Sequence, residues 1–207
     1  MPNQPADIQS LNARAVRYSI EIVDQVRLGD LGRPTPCAGW TLADLLDHMT
    51  VQHHGFAAAA DGHGQDLETW KVRPLGDDAV AEHRAAAELV LRAFAAPDVP
   101  ARTFNLPEFE DALSPPDFPG ALAMGFHFID AVVHGWDVAK AIGVPFELDA
   151  DLLAAAMKVA FAVPTGQARL KEGAAFKPVL AEADANENPT IDRILAFLGR
   201  SPRWPDA

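Results

Sequence analysis

One long apolar segment, residues 120 to 142, restricts the fold of this chain more than any other. It contains no proline, and Gly143 and Pro145 follow it directly. From Met124 to Ile142 its apolar residues cover most of a helical wheel, which is typical of a helix with neighbours on nearly every side. The segment therefore predicts a buried helix at the centre of a helical bundle.

The rest of the chain predicts the helices that would surround it. Alanine-rich stretches with apolar residues three to four positions apart predict two helices at 7–28 and 77–96. Thr41 and Asp44 form a capping box, which predicts a helix over 42–60. Prolines throughout 98–119 indicate a long crossover with at most a short extended segment.

The carboxyl-terminal part predicts further, shorter helices. We expect a fifth helix that is capped by Asp149 or Asp151 and closed by Pro164, and a last short helix in the segment NPTIDRILAFLGRSP. The predicted fold is all-α. It is a four-helix bundle with a long crossover between helices 3 and 4, additional helices at the end, and a single domain over 1–207.

Charge and cysteine content limit the partners of this protein. The chain has 17 basic and 29 acidic residues and a net charge of −12, so nucleic acid and anionic membranes would repel it. Its one cysteine, Cys37, excludes an intramolecular disulfide and fits a reducing cytosol. No segment reaches the roughly 18 apolar residues of a membrane span. We therefore expect a cytoplasmic protein, with an exposed bundle face that could support a homodimer.

Four polar residues interrupt the predicted buried helix on one side. His127, Asp130, His134 and Asp137 fall within an arc of about 80° on the helical wheel. Asp130 and His134 are four residues apart, so their side chains lie on the same face of the helix and can bind one cation. Without a metal, they would form a hydrogen-bonded pair or a solvated face. The strip is thus a candidate metal site that needs another ligand from elsewhere.

The second predicted helix offers that ligand. His48 lies at the border of its apolar face and can point into the bundle, whereas His53 lies within this face and is better explained as a core histidine. The remaining histidines, His54, His63 and His83, are expected to be solvated. Cys37 could be a ligand or nucleophile, but no nearby Lys or Arg favours a thiolate, so we expect it to pack.

Three motifs carry a resemblance to a known family. TPCAGWTLADLLDHM (35–49), DAVVHGWDVAKAIG (130–143) and PTIDRILAFLGRSPRW (189–204) resemble actinobacterial proteins related to the amino-terminal domain of mycothiol-dependent maleylpyruvate isomerase, in the DinB-like superfamily. The resemblance implies a four-helix bundle that binds a divalent metal, most often zinc, with Ni²⁺ or Fe²⁺ as alternatives. The ligands it implies are His48, Asp130 and His134.

The resemblance also defines the functional hypotheses. A metal with three protein ligands and an open position can activate a low-molecular-weight thiol such as mycothiol, which implies a thiol transferase or isomerase acting on a small electrophile. The alternatives are a zinc-dependent hydrolase, with His127 or Asp137 as base, and a non-catalytic metal-binding or ligand-binding module. Asp130 is one methylene shorter than the family's glutamate, which leaves room at the metal for water or His127. Because the chain ends at the tail helix, we expect it to lack the isomerase's second domain.

Overall fold

Helices form most of this protein. The computed structural model describes residues 7–110, 114–171, 176–184 and 188–206. The α-helices are α1 (Ile8–Val23), α2 (Leu42–Ala60), α3 (Ala79–Ala93), α4 (Gly120–Ile142), α5 (Ala150–Ala162) and α6 (Ile191–Phe197). Two short strands, β1 (Thr103–Asn105) and β2 (Asp117–Pro119), pair antiparallel with Phe104 opposite Phe118. The predicted all-α fold is confirmed.

The chain divides into two compact units. The first ends at Val144 and contains α1 to α4, and the second begins at Pro145 and contains α5 and α6. In the first unit α1 packs mainly against α4, α2 packs against α3, and α2 also contacts α4. The predicted single domain over 1–207 stays a prediction. Among the described residues, no helix is both long and apolar enough to cross a membrane.

Local sequence signals set the ends of the helices that carry the candidate site. The Thr41 hydroxyl accepts from the Asp44 amide, and the Asp44 carboxylate accepts in turn from the Thr41 amide, so α2 begins with the predicted capping box. Gly143 ends α4 in the left-handed conformation at φ 76°, where a glycine has no steric penalty. Both helices therefore have their predicted bounds, Leu42–Ala60 and Gly120–Ile142.

Two predicted helices are shorter than expected. The first ends at Val23 rather than at residue 28, and the chain forms a short 3₁₀ helix at Leu28–Asp30 instead. The third begins after Asp78, whose side chain caps it, and ends at Ala93. In both cases the apolar spacing continues for a few residues beyond the last helical hydrogen bonds.

The crossover between α3 and α4 folds back onto the bundle. It contains the strands β1 and β2 and two 3₁₀ turns, Val99–Ala101 and Pro107–Phe109. Phe104 and Leu106 are fully buried and anchor it to the core. Gly120 donates its amide to the Arg102 carbonyl at 2.7 Å, and a Cβ there would overlap the Val99 carbonyl oxygen. This close approach fixes where α4 starts.

The second unit has its own small core. Helices α5 and α6 pack together, with the rings of Phe161 and Phe197 stacked at 4.2 Å. Arg169 is buried, and its guanidinium donates to the carbonyl oxygens of Pro164 and Phe197 while lying over the Phe197 ring. The buried guanidinium thus satisfies the carbonyl group of Phe197, the last residue of α6, which the helix end leaves open.

Candidate metal centre

Helices α2 and α4 bring the three predicted ligands together. His48 on α2 places Nε2 3.7 Å from Asp130 Oδ1, and His134 Nε2 lies 3.3 Å from the same oxygen. One ligand atom from each residue lies within 4.8 Å of the others. In a tetrahedral zinc site with bonds of about 2.0–2.1 Å, neighbouring ligand atoms are about 3.3 Å apart. The observed spacing is therefore close to that of a bound divalent cation.

The donor atoms also suit such an ion chemically. Two imidazole nitrogens and one carboxylate oxygen are the usual ligands of a catalytic zinc ion, and imidazole also suits nickel and iron. The side chains of His48 and Asp130 are 23% and 26% exposed, whereas that of His134 is 9% exposed. The site can thus be reached from solvent on the side of His48 and Asp130.

Asp137 contacts the His134 ring at Nδ1, the nitrogen that does not face Asp130. Asp137 Oδ2 lies 2.9 Å from His134 Nδ1, and Asp137 is fully buried. This contact places the Nδ1 proton between the two side chains and turns Nε2 toward Asp130 and His48. Asp137, one of the two residues that the sequence offered as a base for a hydrolase, therefore lies where it orients the His134 ring.

Cys37 also lies on the Nδ1 side of His134. Its Sγ donates to Asp137 Oδ2 at 3.2 Å and is 3.9 Å from His134 Nδ1. Cys37, His134 and Asp137 form a second group whose ligand atoms lie within 4.8 Å of one another. However, this group would use the same Nδ1 that Asp137 already binds. The half-buried thiol therefore supports Asp137 rather than facing the exposed side of the site.

The charges within the cluster are mutually stabilising. Burial alone would raise the pKa of Asp130, but the imidazoles of His134 and His48 hold it well below its usual value. Burial alone would likewise lower the pKa of His134, but Asp130 and then Asp137 and Cys37 hold it well above the usual value. In the absence of a cation, a proton on His134 thus takes the place of positive charge next to Asp130.

Comparisons with known proteins identify the family. The family model of the mycothiol maleylpyruvate isomerase N-terminal domain matches residues 13–139. The chain belongs to this family. It is 32% identical over 188 residues to uncharacterized proteins from two strains of Mycobacterium tuberculosis, covering 88% of this chain and 91% of each relative. A crystal structure of a histidine-to-alanine mutant of mycothiol-dependent maleylpyruvate isomerase superposes with a TM-score of 0.59 at 13% identity, covering 88% of this chain and 78% of that one.

A second histidine cluster, separate from the candidate ligands, is fully buried. His127 Nε2 is 2.9 Å from His53 Nδ1, and the Asn12 amide nitrogen is 2.9 Å from His127 Nδ1. The same nitrogen also donates to the Met124 carbonyl, so the amide orientation is fixed. His127 must then accept at Nδ1 and donate from Nε2 to His53. With both ring nitrogens engaged, His127 lies outside the ligand cluster.

The third member of this buried cluster corrects a prediction. His83 was expected to be solvated because it lies between Glu82 and Arg84, but it is fully buried. It shares the inward face of α3 with small residues such as Ala86 and Ala87, its ring lies 5.1 Å from that of His53, and its Nδ1 is 3.4 Å from the Thr50 hydroxyl. His53 is a core histidine as predicted, and His54 and His63 are exposed as predicted.

The sequence missed one carboxylate that interacts with the candidate ligand Asp130. Glu108 lies on the crossover in the turn Pro107–Phe109 and accepts a hydrogen bond from Gln52, one helical turn after His48. Burial of its carboxyl and then the charge of Asp130 raise the pKa of Glu108 to about 7, against this hydrogen bond. Its position comes from the irregular crossover, so no periodicity could have indicated it.

Two tryptophans border the ligands. The Trp40 ring lies 5.1 Å from that of His48 and is 37% exposed, whereas Trp136 is buried with Lys140 over its ring. Trp136 therefore packs in the core, while Trp40 forms part of the exposed rim of the site.

Proposed function

We propose that this protein is a metal-dependent enzyme that uses a low-molecular-weight thiol, specifically mycothiol, to add to or isomerise a small electrophile. The observation that carries the proposal is the convergence of His48, Asp130 and His134 at metal-ligand spacing on the solvent-accessible side of α2 and α4. Membership of the mycothiol maleylpyruvate isomerase N-terminal domain family supports the choice of thiol.

The chain's own residues would hold and orient the ion. Their ligand chemistry favours zinc, with Ni²⁺ and Fe²⁺ as alternatives. His48 and His134 would supply Nε2 and Asp130 would supply Oδ1, while Asp137 fixes the tautomer of His134. A divalent metal supplies Lewis acidity, which lowers the pKa of a thiol that binds beside it. Three protein ligands leave a position for such a thiol.

The placement of Cys37 supports an external thiol. Its Sγ contacts Asp137 and lies at the Nδ1 side of His134, opposite the Nε2 that faces Asp130. The Cys37 thiol donates its hydrogen bond to Asp137 Oδ2 and so faces away from the side where His48 and Asp130 meet His134. A nucleophilic sulfur at the ligand cluster would therefore come from the substrate.

Metal content and thiol chemistry together test the proposal. We expect the untagged protein to contain about one divalent ion per chain, by elemental analysis, and to accelerate the reaction of mycothiol with electrophiles. His48→Ala should lose both properties, whereas His54→Ala, an exposed histidine on the same helix, should keep both. A metal content far below one per chain that His48→Ala does not change would refute the metal site.

The other outcomes distinguish the alternatives. Ester or amide hydrolysis without added thiol, lost in His48→Ala, would favour the zinc-dependent hydrolase. A bound metal with neither thiol-dependent nor thiol-independent turnover would favour the non-catalytic module.

A further inference from the structure

The two histidines of the candidate metal centre are held in different ways. His134 is 9% exposed, and its Nδ1 lies 2.9 Å from the buried carboxylate of Asp137. Histidine ligands of metals usually have such a partner at the second ring nitrogen, which fixes the orientation of the ring. In the part of the chain that the structure describes, no residue forms a hydrogen bond with Nδ1 of His48. The orientation of the His48 ring therefore depends on other contacts.

Two rings lie against the His48 imidazole. The Trp40 indole is tilted by 55° to it, with the ring centres 5.1 Å apart, and the His134 ring meets it edge-on at 4.9 Å. Tilted and edge-to-face arrangements at about 4.5–7 Å are those that aromatic pairs prefer. His134 is itself a candidate ligand, so Trp40 provides the aromatic support from outside the ligand set. The indole is thus placed to orient His48.

The Trp40 ring extends from a backbone that is itself fixed. The Trp40 carbonyl accepts hydrogen bonds from the Thr35 amide at 3.2 Å and the Thr35 hydroxyl at 3.1 Å, and the Trp40 amide donates to the Cys37 carbonyl at 3.0 Å. Thr35 is buried, and Thr41, the residue after Trp40, caps α2. The indole and His48 therefore share one support, the start of α2, although the indole is partly exposed.

We propose that Trp40 is a positioning residue for His48. Its indole ring orients this imidazole by packing against it, whereas the Asp137 carboxylate orients His134 through a hydrogen bond. A side chain that is already oriented loses less freedom when it binds, so the contact should raise the affinity of the site for a divalent ion. The inference rests on the proposed metal site. It does not require Trp40 to touch the ion or the substrate.

Two substitutions separate the effect of the ring from that of the volume it fills. Trp40→Phe keeps an aromatic ring next to His48, whereas Trp40→Leu keeps an apolar side chain without a ring. The strength of an aromatic pair corresponds to about twofold to twelvefold in affinity. We therefore expect the Kd for Zn²⁺, measured by competition with a chelator, to rise about fivefold in Trp40→Leu and to stay within about twofold of wild type in Trp40→Phe. Leu122→Ala, at an exposed apolar residue of α4, should leave the Kd unchanged.

NMR of the metal-free protein reports on the His48 ring directly. With ¹³C-labelled histidine, relaxation measures the order of each imidazole on the picosecond-to-nanosecond timescale. We expect the His48 ring of the wild-type protein to be more ordered than that of the exposed His54. Trp40→Leu should reduce the order of His48 toward that of His54 and leave His134 unchanged, and Trp40→Phe should keep His48 near its wild-type order. A role in stability alone would not single out one imidazole.

The outcomes separate this inference from the proposed function. A His48 ring in the wild-type protein that is as mobile as that of His54 would overturn the role of Trp40, and this result does not depend on whether any variant folds. Equal Kd values for Zn²⁺ in wild type and Trp40→Leu would also overturn it, while leaving the metal site standing. Failure of the wild-type protein to bind zinc would overturn the proposed function. The order of the His48 ring in the metal-free proteins would then still decide whether Trp40 positions it.

Discussion

Acid should destabilise this protein through its buried histidines, and a substitution at His83 provides the most direct test. His83 and His127 are fully buried. Burial is the largest influence on both side chains, and it lowers the pKa of each to about 4, from 6.5 in the unfolded chain. Arg84 also lowers the pKa of His83. Below pH 6.5 the unfolded state therefore binds protons that the folded state does not, and the free energy of unfolding falls with pH.

The size of the effect follows from the pKa difference. About 1.5 pH units separate pH 5 from the unfolded pKa, and each unit corresponds to about 1.36 kcal/mol, so each of the two histidines costs about 2 kcal/mol at pH 5. His134 acts in the opposite direction because its folded pKa is raised. His134 is present in both wild type and a variant at His83, so its contribution cancels when the pH dependence of their unfolding free energies is compared.

Urea unfolding at about pH 7.5 and about pH 5, with a chelator present, measures this difference. In His83→Gln the loss of stability between the two pH values should be about 2 kcal/mol smaller than in wild type, because the amide does not titrate in this range. His63→Gln, at an exposed histidine, should show the wild-type loss. An identical loss in wild type and His83→Gln would refute the reasoning.

Three further substitutions test the structure around the site. Asp137→Asn should weaken zinc binding about 10-fold to 100-fold, measured by competition with a chelator, because the His134 ring loses its carboxylate partner. Thr41→Ala should cost about 1 kcal/mol of unfolding free energy through loss of the capping box, and Thr41→Ser should restore most of it. Gly120→Ala should lower the melting temperature because its Cβ meets the Val99 carbonyl, whereas Gly125→Ala, with open space around it, should raise or preserve it. The reverse order of the two glycine variants would contradict the packing described for the crossover.

Local signals predicted much of the fold. Both site-bearing helices have their predicted ends, because α2 begins with a reciprocal cap at Thr41 and Asp44, and α4 ends at a left-handed Gly143. The first helix was predicted too long, because its apolar spacing extends past Val23 into a segment that forms a 3₁₀ turn. Apolar periodicity thus indicates a helix, whereas side-chain caps and glycines decide where it ends.

The candidate site was predictable only in part. Asp130 and His134 follow from helical spacing, but His48 needed the family resemblance, because spacing alone left it at the border of an apolar face. His83 was predicted wrongly, since charged neighbours along the chain do not reveal which way one side chain of a helix points. Glu108 lies on an irregular crossover, so no periodicity predicts its hydrogen bond with Gln52 or the effect of Asp130 on its pKa.

The pairing of α1 with α4 has a consequence for how the chain is made. Asn12 hydrogen-bonds to Met124 and His127, residues more than a hundred positions later. At about 5–20 residues per second, a ribosome needs about 6 to 24 seconds to synthesise the chain from Val23 to Ile142. During this time α1 lacks α4, the helix against which it packs most, and its buried apolar side chains, which include Val16 and Ile20, are only partly covered. Helix α1 therefore waits longer for its main partner than α2 does, because α3 follows α2 closely in the chain, and this delay exposes α1 to chaperones and to aggregation.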